Sequence, residues 1–202
     1  MHTNSLYRWS LLALGLAAAG LGWPAHGSAQ ANTASGHARA VQATVAAPSG
    51  VDTTVLTDTG TLGSLDDARE ASQNTGSIGS WLGGEALHAT SIGRPDQVES
   101  EASLANLVLN VGGATVTADF VMSRAQAARG SRSGVVEVQG LVVNGTPIVV
   151  TGDGDQSVPF PGGSVVINES RRSQGGIVVN ALHVIVDGAA DVVVASASAT
   201  YR

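Results

Sequence analysis

From residue 86 onward the chain alternates apolar and polar positions in short runs separated by turn residues, the period-two signature of half-buried strands. Residues 87–92 form one run, closed by Gly93-Arg94-Pro95-Asp96. Residues 98–111 form a longer one whose apolar phase changes at Leu104-Ala105, which suggests a bulge. Gly112-Gly113 turns the chain into a run over 114–124, and residues 130–134 read as a polar loop. The run 135–143 ends in Asn144-Gly145. That pair demands a type I′ hairpin, because both central residues must take positive φ. The return strand passes through Ile148-Val149-Val150, with Pro147 facing outward or on an edge. Pro161-Gly162-Gly163 joins two further runs, and residues 169–176, with Arg171-Arg172, read as an exposed loop. Two β-branched runs around Asp187-Gly188 then make a terminal hairpin over 177–202.

The earlier chain is less regular. Residues 38–45 alternate with a slip at Ala40-Val41, as a bulged strand would, and 51–56 suggest another short strand. Residues 57–84 are rich in Gly, Ser, Thr and Asp and read as a long loop, with a short helix capped by Ser64 through Ala71. About ten short strands with closely spaced turns predict an all-β, antiparallel β-sandwich. A transmembrane barrel needs two aromatic girdles. Beyond residue 29 only Trp81, Phe120, Phe160 and Tyr201 are aromatic, too few to build them. A parallel solenoid needs a stricter repeat.

Residues 1–29 read as a signal peptide. A short n-region with Arg8 precedes an apolar run shorter than the ~20 residues of a membrane span, and Gly27-Ser28-Ala29 offers small residues for cleavage. Residues 30–36 are then a small, polar, disordered leader, and 37–202 a single domain. This predicts a secreted, extracytoplasmic protein with no integral membrane segment once the signal is removed.

The chain has no Cys and no Lys. The absence of Cys excludes disulfides, thiolate chemistry and zinc–thiolate sites. Beyond residue 29 nine Arg face sixteen acidic residues, a net charge of −7, which argues against nucleic acid or anionic lipid as a partner.

Candidate chemistry is sparse. His88 and His183 stand in similar contexts, Ala86-Leu87-His88-Ala89 and Ala181-Leu182-His183-Val184, and are candidate metal ligands with Glu85 or Asp187. Neither has paired-His spacing, so each reads first as a strand histidine on the wetter face. Asp153-Gly154-Asp155 resembles a calcium loop without its remaining ligand pattern. The Gly-Gly pairs open no helix and carry no Lys, so they are turns rather than phosphate cradles. No Gly-x-Ser-x-Gly elbow occurs, and Asp119, Asp153 and Asp191 read as solubilising charges at strand ends. No catalytic residue, cofactor or metal is predicted. Residues 107–119 also resemble 141–153, as hairpins of a Val-rich sheet protein do.

Four segments in order carry a wider resemblance: Leu-Val-Val-Asn-Gly-Thr-Pro-Ile (141–148), Pro-Gly-Gly-Ser-Val-Val-Ile-Asn-Glu (161–169), Ile-Val-Val-Asn-Ala-Leu-His-Val-Ile-Val (177–186) and Ala-Asp-Val-Val-Val-Ala-Ser-Ala (190–197). Together they resemble the bacterial choice-of-anchor P proteins, over roughly 85–201. The resemblance implies an exported, β-rich surface or secreted protein whose relatives carry differing C-terminal sorting signals, and it supplies no catalytic residues. No such signal is expected here, where the chain reads Tyr201-Arg202 at its end.

The function expected is a non-enzymatic surface or extracellular-matrix protein of structural or adhesion type. Its partners would be itself, through strand edges such as 191–200, or surface glycans and matrix. The alternative is a carbohydrate- or small-ligand-binding module using the 57–84 loop, with Trp81 as stacking platform. A hydrolase with an unrecognised site is the lesser alternative.

Overall fold

The structure is a computed structural model that describes residues 34–48, 50–152 and 154–202; the expected signal peptide and residues 30–33 of the expected leader lie outside the described residues. Among these there are thirteen strands and no helix. They are β1 (Ala34–Ala47), β2 (Gly50–Asp58), β3 (Ala68–Ile78), β4 (Leu82–Arg94), β5 (Gln97–Val111), β6 (Ala114–Ala128), β7 (Ser131–Gln139), β8 (Val142–Val143), β9 (Thr146–Pro147), β10 (Gln156–Phe160), β11 (Gly163–Ser173), β12 (Gly176–Val186) and β13 (Ala190–Tyr201). One antiparallel sheet runs β10-β11-β12-β13-β1-β2. The other runs β3-β4-β5-β6-β8-β9, with β7 also on β6. The two pack face to face, with β13 over β5 and β6, β1 over β4 and β5, and β12 over β6 and β7. Each sheet ends in edge strands, so this is the expected sandwich and not a closed barrel.

The terminal hairpin β12–β13 lies at the centre of its sheet. β13 is paired along its length by β12 on one side and β1 on the other. Residues 191–200 therefore present no edge. The sequence pattern explains why: Val192, Val194, Ala195, Ala197 and Ala199 are all buried, and a strand so apolar on one face belongs mid-sheet.

The slip at Ala40-Val41 is real, but its cause is not an inserted residue. Arg39 pairs with Ser196 and Val41 with Val194, so one residue lies between on each strand and the register is unbroken. The same gap recurs across five strands, placing Thr57, Ala40, Ala195, Ala181 and Asn168 in one transverse row over β2-β1-β13-β12-β11. Thr57, Ala195 and Asn168, on alternate strands, have φ of 54°, 52° and 59°. The row bends the sheet and resets its inward face on β1, β13 and β12 together. Ala40 and Val41, Val194 and Ala195, and Ala181 and Leu182 are accordingly buried as neighbouring pairs. Small side chains suit positions where two successive residues face the core, and Asn tolerates the left-handed conformation.

The second sheet has its own bend. Ala86 and Asn106 have φ of 48° and 50°, Asn106 lies across from Asp119, and Gly140 (φ 63°) separates β7 from β8. A Cβ on Gly140 would collide with the Asp119 carboxylate, so only glycine fits. Asp119 is thus interior to β6 rather than at a strand end.

Several other expectations change. Ala34, Ser35 and Gly36 belong to β1 instead of a disordered leader, and a Cβ on Gly36 would meet Leu62, Val98 and Ser100 at 2.8 Å. Segment 57–84 is not one loop: β3 occupies Ala68–Ile78 within it, hairpinned onto β4. Ser64 caps no helix. Its Oγ accepts from Asp66 N at 3.3 Å in a local turn, and Asp67 Oδ2 accepts from Gly63 N and Arg69 Nε at 2.8 Å each. Strand β7 takes up most of the 130–134 loop. Residues 169–173 extend β11, leaving only Gln174-Gly175 as turn. Asn144-Gly145 is the expected type I′ hairpin, with φ of 50° and 78° between Val143 and Thr146. Its return strand β9 is only two residues long, ends at the exposed Pro147, and does not include Val149 or Val150.

The interior divides in two. The main cluster includes Leu87, Leu104, Leu107, Leu109, Ile167 and Leu182. A smaller one holds Leu62, Val98, Ile177, Val179 and Tyr201, whose hydroxyl donates to Pro95 O at 2.9 Å. Between them lie buried hydroxyls: Ser91 and Ser100 are bonded at 2.8 Å, and Ser123 Oγ has no hydrogen-bond partner.

Candidate functional site

The densest polar cluster among the described residues lies on the outer face of β11, β12 and β13, just past the transverse bend. Asn168 in the left-handed conformation aims Glu169 outward opposite Asn180, although Ile167 two residues earlier faces the core. Glu169 is nevertheless only 6% exposed. Its Oε2 accepts from Asn180 Nδ2 at 2.8 Å and lies 3.1 Å from His183 Nδ1, while Oε1 pairs with the Arg171 guanidinium. His183 Nε2 lies 3.1 Å from Asp191 Oδ2. Ser196 Oγ donates to Asn180 Oδ1 at 2.7 Å and extends the chain to β13.

Both ring nitrogens of His183 face carboxylates, and the imidazolium is the form that donates to both. Burial pushes the Glu169 carboxyl up. Hydrogen bonds from Asn180 and Arg171, with the charges of His183 and Arg171, outweigh that and hold it below the usual carboxylate range. The arrangement ties three strands together. It is not a Ser–His pair: the hydroxyl in the chain of contacts, Ser196, donates to an amide oxygen rather than to the imidazole. The two carboxylates sit on opposite ring nitrogens, so they cannot converge with the ring on one ion, and no group of three or more His, Asp or Glu among the described residues could hold a metal. Asp187 is not a partner of His183; its backbone N donates to Gly162 O at 2.9 Å.

His88, on the outer face of the other sheet, has a looser version of the same contact. Its Nε2 is 3.3 Å from Glu70 Oε1 on β3, both groups well exposed, a pair of little energetic weight. Glu85 accepts from Asn106 Nδ2 at 2.8 Å instead of joining His88. A third histidine, not singled out by sequence, completes another cluster. Arg39 Nη2 donates to His37 Nδ1 at 3.0 Å, which leaves the Nε2 hydrogen to bond Asp58 Oδ1 at 2.6 Å. Burial raises the Asp58 carboxyl, but the Gly60 N–H, His37 and Arg39 together lower it.

Trp81 sits in the β3–β4 turn, half-buried, with its side chain against the main core. The segment 57–84 around it is more strand than loop. In the calcium-like motif Asp153 lies outside the described residues, and Asp155 Oδ1 accepts from Ser170 N at 3.1 Å. An open groove of about 390 Å³ lies where the β1–β2 and β12–β13 turns meet and is lined by Val45, Val51, Ile185, Val186 and Ala189 among others.

Sequence reasoning found His183 and missed Glu169, Asn180 and Arg171, because it ended the strand at Asn168. Continuing the strand through an Asn that takes positive φ, and so switches the face of the residues after it, would have recovered Glu169. No helix among the described residues is long and apolar enough to cross a membrane. Scans against protein-family models, curated proteins and solved structures return no match.

Proposed function

We propose that this is an exported, non-enzymatic protein of the cell surface or extracellular matrix, structural or adhesive in role, resembling the choice-of-anchor P group. The observation that supports this reading is the difference between the two flanks of the sandwich. One flank ends in β9 and β10, which are short and carry Pro147 and Pro159, and in the nine-residue β7, paired only with β6 and carrying Arg132 and Glu137; Pro and charge are the usual means of blunting an edge. The other ends in β2 and β3, nine and eleven residues long, without a Pro or Lys between them. Such edges recruit another strand by main-chain hydrogen bonds, a mode of association that needs no pocket and no catalytic group.

The test is localisation of a tagged copy together with deletion. Surface or matrix recovery of the tagged protein, and loss of adhesion or matrix integrity on deletion, are expected. A cytoplasmic protein, or a deletion without effect on surface properties, would contradict the proposal.

A further inference from the structure

The partner of the open flank follows from its charge and geometry. On β2 the outward row is Val51, Thr53 and Val55, with Val51 74% and Val55 39% exposed. Beside it on β1 lie Ala46, Thr44 and Gln42, and the Thr44 and Thr53 hydroxyls are bonded at 3.1 Å. This strip carries no charge. At its far end Asp58 is paired with His37 and Arg39. A chain of net charge −6 repels its own copies over most of its surface, so they approach most easily along β2, whose outward row has no acidic group and whose only carboxylates are Asp52, at an alternate position, and the paired Asp58. The matching edge β3 carries Arg69 and Glu70, with Glu70 against His88 on its outward face, and suits self-pairing less.

Resting on the surface-protein reading above, we infer that the partner is a second copy of this chain, docked β2 to β2 in antiparallel fashion about a two-fold axis. Centring the axis on Thr53 uses the whole straight run from Gly50 to Leu56, before the bend at Thr57. It sets Val51 of each copy opposite Val55 of the other and Asp52 opposite Thr54, never directly opposite an Asp. The two six-stranded sheets become one of twelve. Because the contact is isologous and uses up the β2 edge of both copies, assembly closes at the dimer instead of running on as a fibre. Screening of the net charge makes the dimer tighter in added salt.

The chain without residues 1–29 is examined by sedimentation velocity over rising concentration, at low and moderate salt. A monomer–dimer equilibrium that salt strengthens is expected; a monomer at every concentration overturns the inference. Val51→Lys with Val55→Lys sets like charges directly opposite and weakens the dimer by about tenfold or more. Both sites are exposed, so the circular dichroism and melting of this variant stay those of the parent. Ser157→Lys on β10 leaves the dimer intact. A dimer that survives the β2 change, or is lost with the β10 change, places the interface elsewhere and refutes it. The chain has no Cys, so Thr53→Cys alone forms a disulfide-linked dimer on mild oxidation, and failure to crosslink refutes the register. The surface reading stands or falls separately: a monomeric Val51→Lys/Val55→Lys protein that still localises to the surface and supports adhesion removes the dimer and keeps the function.

Discussion

His183 Nδ1 and Glu169 Oε2 lie 3.1 Å apart across β11 and β12, the imidazole 15% and the carboxylate 7% exposed. A carboxylate that hidden is stable only with its partners in place. His183→Ala takes away the imidazole and leaves Asn180 and Arg171 to satisfy Glu169. The expected loss is about 1–3 kcal/mol, read as a melting temperature lower by roughly 2–10 °C. Asp191→Asn, on the 55% exposed side of the same ring, costs less than about 1 kcal/mol. Equal effects of the two would show that burial of Glu169 is not what matters.

Acid stability follows from the same groups. Glu169 and Asp58 both have carboxyls held below their ordinary values in the folded chain. A depressed folded value contributes stability above the unfolded value, about 4, and that stability is lost as pH falls through the folded one. Urea midpoints are therefore flat down to about pH 5 and decline below about pH 4. Glu169→Gln reduces the stability at neutral pH and makes the acid decline shallower. An unchanged slope would contradict the assignment.

Gly36 offers a check on where the fold begins. Its added Cβ would meet Leu62, Val98 and Ser100 at 2.8 Å, so Gly36→Ala lowers stability by about 1–3 kcal/mol. In a disordered leader the same change would be silent in thermal denaturation.

Ser123 Oγ is buried among the strands of the second sheet without a hydrogen-bond partner. Ser123→Ala removes that unpaired hydroxyl and is expected to raise stability by about 1 kcal/mol or more. Destabilisation would mean that the hydroxyl has a partner, such as a buried water shared with Ser100.

The strand content and the hairpins at Asn144-Gly145 and Pro161-Gly162 were legible because turn residues and period-two alternation are local signals. Strand order was not, since it depends on which apolar face outcompetes another, and β13 went to the centre. The bends were half legible. The slip at Leu104-Ala105 marks a true register shift between β4 and β5, where Glu85 pairs with Ala105 and His88 with Ser103, whereas the slip at Ala40-Val41 marks a row crossing five strands with left-handed residues on alternate ones, and a slip alone does not distinguish the two. The matching Ala-Leu-His segments gain a physical meaning from that row. Ala86 and Ala181 each lie at a bend, Leu87 and Leu182 turn inward, and His88 and His183 turn outward to meet Glu70 and Glu169 on the neighbouring strand. Segments 68–78 and 169–173 were misread for one reason: polar and small residues on exposed strands resemble loop when only one neighbouring strand orders them.

The central claim is that β13 lies mid-sheet while β2 is an edge open to a second copy. Residue-resolved hydrogen exchange at low and high protein concentration tests it most directly. The account predicts the slowest exchange in β12 and β13 at every concentration. Amides of β2 exchange fast when dilute and become protected as concentration rises, while those of β9 and β10 remain fast. Rapid exchange throughout β13, or β2 protection that ignores concentration, would contradict it.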